Sequence, residues 1–418
     1  MEVKAGYKHT DVGVFPEEWE VRPLFGVVKA ATGQVSPREE PYRSMVLVAP
    51  DHIEEATGRL LAKETAAAQG AISGKYLFKP GDIVYSKIRP YLRKAILADF
   101  EGLCSADMYP LTPAKDVCSA FVFAVLLGHD FSNFAATVSA RSGIPKINRD
   151  ELAQYTLALP PLPEQRGIAG ALSDVDALIG ALDQLIAKKR DLKQAAMQRL
   201  LTGQTRLPGF HGEWEPIQFS DIADRWIPWS IGGGPFGSNL KASDYTDEGV
   251  RIIQLQNIGD GCFHDDYAIY TSEAKADELL SNNIYPGEII LSKMGDPVAR
   301  ACFVPTADRR YLMASDGIRL AVDSRRFNKR FVHDYINSVH FRKKAIEAST
   351  GSTRQRIGLV ELKQLPFIAP PLDEQTAIAE VLSDMDEELS ALEQRRDKTR
   401  ALKQGMMQQL LTGRRRLI

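Results

Sequence analysis

Two short basic runs stand out for the chemistry their side chains can do. After Pro80-Gly81-Asp82 comes Ser86-Lys87-Ile88-Arg89-Pro90-Tyr91-Leu92-Arg93-Lys94, and later Arg141-Ser142-Gly143-Ile144-Pro145-Lys146-Ile147-Asn148-Arg149. The second half of the chain has counterparts in Ser292-Lys293-Met294 and Ser349-Thr350-Gly351-Ser352-Thr353-Arg354-Gln355-Arg356. Arg and Lys among Ser, Thr, Gln and Asn in glycine-containing loops are the groups that hold phosphates and read base edges. Lys87, Arg89, Arg93, Arg141, Lys146, Asn148, Lys293, Arg354, Gln355 and Arg356 are therefore candidate DNA contacts. Any one such cluster can equally be solvated surface, but recurrence at the same place in both halves favours a shared task. Gln254, Gln256 and Asn257 can make bidentate contacts to adenine, or can cap a strand end. The run Gly232-Gly233-Gly234-Pro235-Phe236-Gly237-Ser238-Asn239-Leu240-Lys241 adds Ser238, Asn239 and Lys241 as candidates. It lacks the GxxxxGK[ST] spacing and no helix is expected directly after it, so a tight surface loop is favoured over a phosphate cradle.

Catalytic signatures are missing from the sequence. An amino-methyltransferase needs Asp, Asn or Ser before Pro-Pro-aromatic, whereas the pairs here read Leu159-Pro160-Pro161-Leu162 and Ala369-Pro370-Pro371-Leu372. Glu361-Leu362-Lys363 imitates the end of a nuclease metal motif, with no convincing acid upstream. HExxH, Walker and GxSxG patterns are absent. Cys104, Cys118, Cys262 and Cys302 lie far apart without a CxxC, which fits reduced structural thiols and implies no metal site. The pattern is that of a noncatalytic binder.

The elements that position these residues are announced by a duplication. Shifting the chain by 210 positions lays Pro160-Pro161-Leu162-Pro163-Glu164-Gln165 on Pro370-Pro371-Leu372-Asp373-Glu374-Gln375, and 27 of 48 positions are then identical. Looser matches join Phe78-Lys79-Pro80-Gly81-Asp82 to Ile284-Tyr285-Pro286-Gly287-Glu288, Pro50-Asp51-His52-Ile53 to Leu255-Gln256-Asn257-Ile258, and Phe15 and Trp19 to Phe210 and Trp214. Within the repeat, Ile168, Leu172, Val175, Ile179 and Leu182 step by four and three, as do Ile378, Leu382, Met385, Leu389 and Leu392. That is a coiled-coil stripe, with a less apolar middle where Arg396 replaces Ile186. Pro163 or Asp373 suits a first turn and Gly203 or Gly413 a left-handed stop. Each helix should span about 39 residues, nearly 60 Å at about 1.5 Å per residue, which is a spacer's length. Such helices often merely dimerise proteins, but two matching ones in a single chain can pair with each other, antiparallel. Residues after Arg416-Leu417 would continue as Gly13-Val14-Phe15 and Trp19 do, so the repeat is circular and the ends of the chain should meet.

Between the helices lie blocks of short β-like runs, such as Met45-Val46-Leu47-Val48 and Arg251-Ile252-Ile253-Gln254-Leu255, mixed with turns and some helix. These read as α/β-type domains. At 418 residues the chain is too long for one core, and 44% apolar with 25% charged residues is ordinary globular usage. A net charge of -2 means that local placement, not overall charge, must carry any affinity for nucleic acid. No spanning helix or signal peptide is visible, which predicts a cytoplasmic protein without membrane contact.

The duplicated Pro-Pro-Leu-x-Glu-Gln leader, the Leu-Leu-Thr-Gly ends at 200 and 410, the Pro-Gly-Asp/Glu and Ser-Lys elements, and Pro235-Phe236-Gly237-Ser238 together resemble the specificity subunit of a type I restriction-modification system. The resemblance covers essentially the whole chain. It implies an α+β molecule with target recognition domains at 1–158 and 205–368 and conserved spacer helices at 159–204 and 369–418, the helices antiparallel and the halves related by a pseudo-twofold. It further implies double-stranded DNA as ligand, each recognition domain reading half of a bipartite target. Two modification subunits would bring S-adenosylmethionine and methylate adenine, and a restriction subunit would supply ATP-driven, Mg-dependent translocation and cleavage. A noncatalytic coiled-coil adaptor between proteins is the competing reading.

Overall fold

The computed structural model describes residues 5–140, 143–351 and 354–417. The chain divides into two compact units, Met1–Asp183 with Gln394–Ile418, and Gln184–Glu393. Both boundaries fall inside 39-residue helices, Leu162–Leu200 and Leu372–Leu410, so each unit contains half of each long helix. Among the described residues no single helix is long and apolar enough to cross a membrane.

In the first unit a four-stranded antiparallel sheet runs in the order Val28–Ala30, Met108–Pro113, Ile83–Ser86, Ala95–Leu97. Strand Ile83–Ser86 is buried throughout, as its β-branched and aromatic residues require. The preceding Pro-Gly-Asp has a local role. Gly81 takes a left-handed φ of 90°, and the Asp82 carboxylate accepts the Lys79 N–H at 2.8 Å. A smaller sheet joins Leu47–Val48, Gly102–Cys104 and Tyr76–Phe78, and helices Ser119–Leu127 and His129–Val138 cover the main core. Trp19, Phe121, Phe131, Ile168, Leu172 and Leu410 share that core, which ties the domain to its halves of the long helices.

The second unit repeats the scheme. Its four-stranded sheet is Ile231–Gly233, Gly317–Leu320, Ile289–Ser292, Ala301–Phe303, and Gly287 (φ 73°) and Glu288 repeat the turn, with Glu288 accepting the Tyr285 N–H at 2.9 Å. A five-stranded sheet, Tyr245–Thr246, Ile269–Thr271, Val250–Ile253, Tyr311–Met313, Asn283–Ile284, replaces the smaller one. The strands expected at 45–48 and 251–255 are shorter, Leu47–Val48 and Val250–Ile253, because the chain then coils into the turns Pro50–His52 and Leu255–Asn257. Both turns are capped alike, Ala49 N–H to His52 Nδ1 at 3.2 Å and Gln254 N–H to Asn257 Oδ1 at 2.9 Å. The domains are α+β, which corrects the α/β expectation. Among the described ladders only Leu47–Val48 with Gly102–Cys104 and Val250–Ile253 with Tyr311–Met313 are parallel, so antiparallel pairing between nearby strands dominates.

The duplicated leader proves to be a clasp. In the first unit Gln165 donates to Pro160 O (2.8 Å) and accepts the Cys118 N–H (2.8 Å), pinning the helix start to a domain helix. Buried Glu164 accepts Trp19 Nε1 (3.1 Å) and Arg416 (2.9 Å). Here the two ends of the chain meet, since Tyr7 Oη also donates to Gly413 O at 2.8 Å. In the second unit Gln375 binds Pro370 O (2.8 Å) and the Asn328 N–H (2.9 Å), and buried Glu374 accepts Arg206 at 2.5 Å. Both long helices stop at left-handed glycines, Gly203 (φ 70°) and Gly413 (φ 67°).

Within the first unit Asp176 pairs with Lys403 (2.6 Å) and Asp183 with Arg400 (3.1 Å). Within the second, Lys189 pairs with Glu388 (2.7 Å) and Lys193 with Asp386 (2.5 Å). Rising numbers on one helix meet falling numbers on the other, so in each unit the helix halves run antiparallel. Of the stripe residues, Ile168, Leu172, Leu182, Ile378, Leu382 and Leu389 are buried, and Val175, Ile179, Met385 and Leu392 are half-buried.

Candidate nucleic-acid interface

Ser86 ends its ladder opposite Met108, and the next residue is caught between two loops. Lys87 donates its N–H to Asp107 O (3.0 Å), and its carbonyl accepts the Ile147 N–H (2.9 Å). Arg89 N–H bonds Pro145 O at 2.8 Å, and Ile88 forms a bridge with Lys146. Two basic runs nearly sixty residues apart are thus sewn together. Lys87 Nζ and the Arg149 guanidinium both approach the Tyr109 ring, at 5.2 and 5.4 Å from its centroid. Burial holds the Lys87 ammonium below the usual lysine range, Lys146 adds repulsion, and Asp107 opposes them. Arg89 and Arg93 flank the turn Pro90–Leu92 with left-handed φ of 46° and 49°. Arg89 and Lys146 are exposed, whereas Arg93 is half-buried beside Leu127 O.

The second unit has the same wiring with different side chains. Lys293 donates its N–H to Asp316 O (2.7 Å), its carbonyl accepts the Ile357 N–H (2.9 Å), and Met294 bridges to Arg356. Lys293 Nζ bonds Ser315 O at 3.0 Å, and Arg356 pairs with Asp316 at 3.2 Å. Burial again lowers the Lys293 pKa, followed by Arg356, against the opposing Asp316. Arg354, Gln355 and Arg356 are exposed.

The glycine run packs tightly against this site. A Cβ on Gly233 would stand 2.6 Å from Lys293 Nζ and displace that side chain, and one on Gly234 would stand only 1.8 Å from the Ala314 carbonyl oxygen, so no larger residue fits at Gly234. The loop then turns back, Asn239 N–H to Phe236 O at 2.8 Å, and leaves Ser238, Asn239 and Lys241 exposed. Gln254 and Gln256 line a cleft of about 230 Å³ together with Phe236, Tyr245, Ser315 and Asp316.

Two candidates need correction. Asn257 is 1% exposed; its amide donates to His264 O and Tyr267 O, both at 2.9 Å, and its oxygen caps Gln254. It holds a loop and has no edge left for a base. Asn148 caps the helix Arg149–Ala153, its oxygen accepting the Glu151 N–H at 2.9 Å, so that oxygen is already engaged. Arg141 lies outside the described residues. Sequence reasoning missed Tyr109, Arg149, Ser315, and the Asp107 and Asp316 carboxylates beside each lysine. The similarity of Ser105-Ala106-Asp107 to Ala314-Ser315-Asp316 was the available signal for the aspartates.

The family model of the type I restriction modification DNA specificity domain matches residues 16–188 and again 213–400. The EcoDI specificity subunit of Escherichia coli is 32% identical over 202 residues, a match spanning 47% of this chain and 45% of that protein, so under half of its length. A putative specificity subunit, MjaX, of Methanocaldococcus jannaschii is 24% identical over 427 residues, covering 97% of this chain and 96% of that protein. Among solved structures, a chain from work on assembly and conformational transition of the type I R-M system superposes with a TM-score of 0.62 at 18% identity, covering 96% of this chain and 99% of that one. The S subunit from M. genitalium gives 0.54 at 13% identity, covering 98% of each. These two show a shared fold. The protein-adaptor alternative gives way to a DNA specificity reading, and with a domain model matched twice over most of its sequence, the chain belongs to the type I restriction modification DNA specificity family.

Proposed function

We propose that this chain is the noncatalytic, sequence-specific DNA-binding subunit of a type I restriction-modification complex. Recognition domains at 1–158 and 205–368 each read half of a bipartite target, and the helices in 159–204 and 369–418 form an antiparallel coiled-coil spacer with pseudo-twofold symmetry. One observation carries this reading. Lys87 and Lys293 are held between equivalent loops by the same pair of backbone hydrogen bonds, each gathering cations from two distant runs. Loop-borne cations at the end of an interior strand suit phosphate contacts, while side chains around them differ between the units as two different half-sites require. Lys87, Arg89, Arg93, Arg141, Lys146, Lys293, Arg354 and Arg356 are assigned to the DNA backbone or base edges. Gln254, Gln256, Gln355, Ser238, Asn239 and Lys241 are assigned to nearby bases. Two modification subunits with S-adenosylmethionine and a restriction subunit with ATP and Mg²⁺ supply the chemistry, in the cytoplasm.

The test is to co-express the chain with its neighbouring modification subunit in a host lacking such systems and to map methylated adenines by long-read sequencing. The expected result is one new bipartite motif with a modified adenine on each strand. A stable complex that leaves the genome unmodified overturns the assignment.

A further inference from the structure

Phe236 is the most exposed large apolar side chain among the described residues, at 82%. It is nonetheless held in place. The chain before it is pressed against Ala314 through Gly234, Pro235 and Leu240 on either side are buried, and Phe236 O accepts the Asn239 N–H. A single exposed apolar residue is commonplace, but a ring anchored on both sides and set beside a polar cleft presents a contact surface.

The surroundings of the ring say what that is. The cleft beside it, about 230 Å³, is walled by Tyr245 and by the polar groups of Gln254, Gln256, Ser315 and Asp316. Asp316 holds Arg356, and its carbonyl holds the Lys293 N–H. An aromatic face, two amides and a carboxylate therefore adjoin the cations assigned to phosphates. Stacking surface next to hydrogen-bonding edges, flanked by positive charge, is the chemistry of a nucleobase partly withdrawn from its stack. Amide and carboxylate acceptors match a base edge carrying an amino donor, adenine or cytosine. The first unit places no ring at the equivalent point of its strand. By strand register the position of Phe236 is taken there by Val35, which is tied to Lys75 by hydrogen bonds of 2.9 and 3.0 Å and packed on a small apolar cluster.

Resting on the DNA-reading function above, we propose that Phe236 is a wedge. In the DNA complex its ring stacks against a base of the half-site read by the second unit, and the adjoining cleft takes that base's amino-bearing edge.

The test uses the full chain with its modification subunit, as wild type, Phe236→Ala and Phe236→Trp. Methylated motifs are mapped, and 2-aminopurine is then scanned through duplexes carrying the motif found for the wild type. Expected for wild type, apart from the target adenine that a methyltransferase must extrude in each half, is bright fluorescence at one further position, in a single half-site. Phe236→Ala should lose that signal and either reduce methylation at least tenfold or relax one base of the same half, with the other half still read, while Phe236→Trp retains both. The intact half controls for folding. The wedge is overturned if Phe236→Ala methylates the same motif to the same extent with unchanged fluorescence. It is equally overturned if the variant no longer co-purifies with the modification subunit, which would make the ring a protein contact. If wild type yields no motif, the DNA-reading function itself falls, an outcome distinct from either.

Discussion

Lys87 and Lys293 share backbone partners but not neighbours. Lys87 stands over Tyr109 among cations, whereas Lys293 is more buried and shares Asp316 with Arg356. As phosphate contacts they should act without regard to sequence. Lys87→Ala with Lys293→Ala is expected to weaken binding of specific and random duplexes alike and to flatten the salt dependence by about two units of slope, read from titrations at several salt concentrations. A loss confined to the specific duplex would instead make them base readers. Their lowered pKa values also set a direction with pH. Phosphate binding needs the ammonium, so affinity should be flat near neutrality and fall at a pH below the ordinary lysine value of about 10.5, with protons taken up on binding. In that window the two lysines by themselves make the fold more stable as pH rises, whereas the buried Cys104 and Cys302 thiols and the Tyr85 and Tyr155 hydroxyls, held above their usual ranges, act in the opposite sense, so circular dichroism at each pH separates lost binding from unfolding. Lys293→Arg should push the decline to higher pH, because guanidinium stays charged.

Each recognition domain is fastened to its helices by few groups. Glu374 is fully buried and its carboxylate meets the Arg206 guanidinium, which also lies over the Trp214 ring. Glu374→Gln keeps the shape but removes the charge, and should cost about 1.5–3 kcal/mol in chemical denaturation of the second unit's transition. An unchanged midpoint would show that the clasp is replaceable by water. The seam between the helices has a polar stretch. Where the first helix has Ile186, the second has Arg396, and Thr399 and Lys403 follow, with Asp183 and Asp176 as acidic partners. Unlike plain apolar contacts, such charge pairs favour one register over slipped alternatives.

At the scale of the molecule, the proposed spacer makes a metric prediction. Four residues inserted in each helix, after Asp183 and after Glu393, add about 6 Å and turn the far end by about 40°. One base pair adds about 3.4 Å and about 35°. Methylome mapping should therefore return the same half-sites with one to two additional base pairs between them. A three-residue insertion turns the end by about 60° the other way and should abolish modification. An unaltered spacer length after the four-residue insertion would remove the helices as the ruler.

Much of this protein was legible without coordinates, for a physical reason. Helix length, stops and stripe depend on neighbours three or four residues away, so the 39-residue helices and their terminal glycines follow from local spacing. The duplication marked which loops correspond, and Lys87 and Lys293 were singled out with it. Tertiary structure decided what each polar side chain had left to offer. Asn257 has the composition of a base reader, but its amide and its oxygen are taken up by loop backbone, and the Asn148 oxygen caps its own helix, while Phe236, whose exposure the Pro-Phe-Gly-Ser run does not announce, is held out in the open. The sheet type followed the same logic. Short alternating runs fit parallel or antiparallel neighbours equally well, and only chain return determines which strand edge is met.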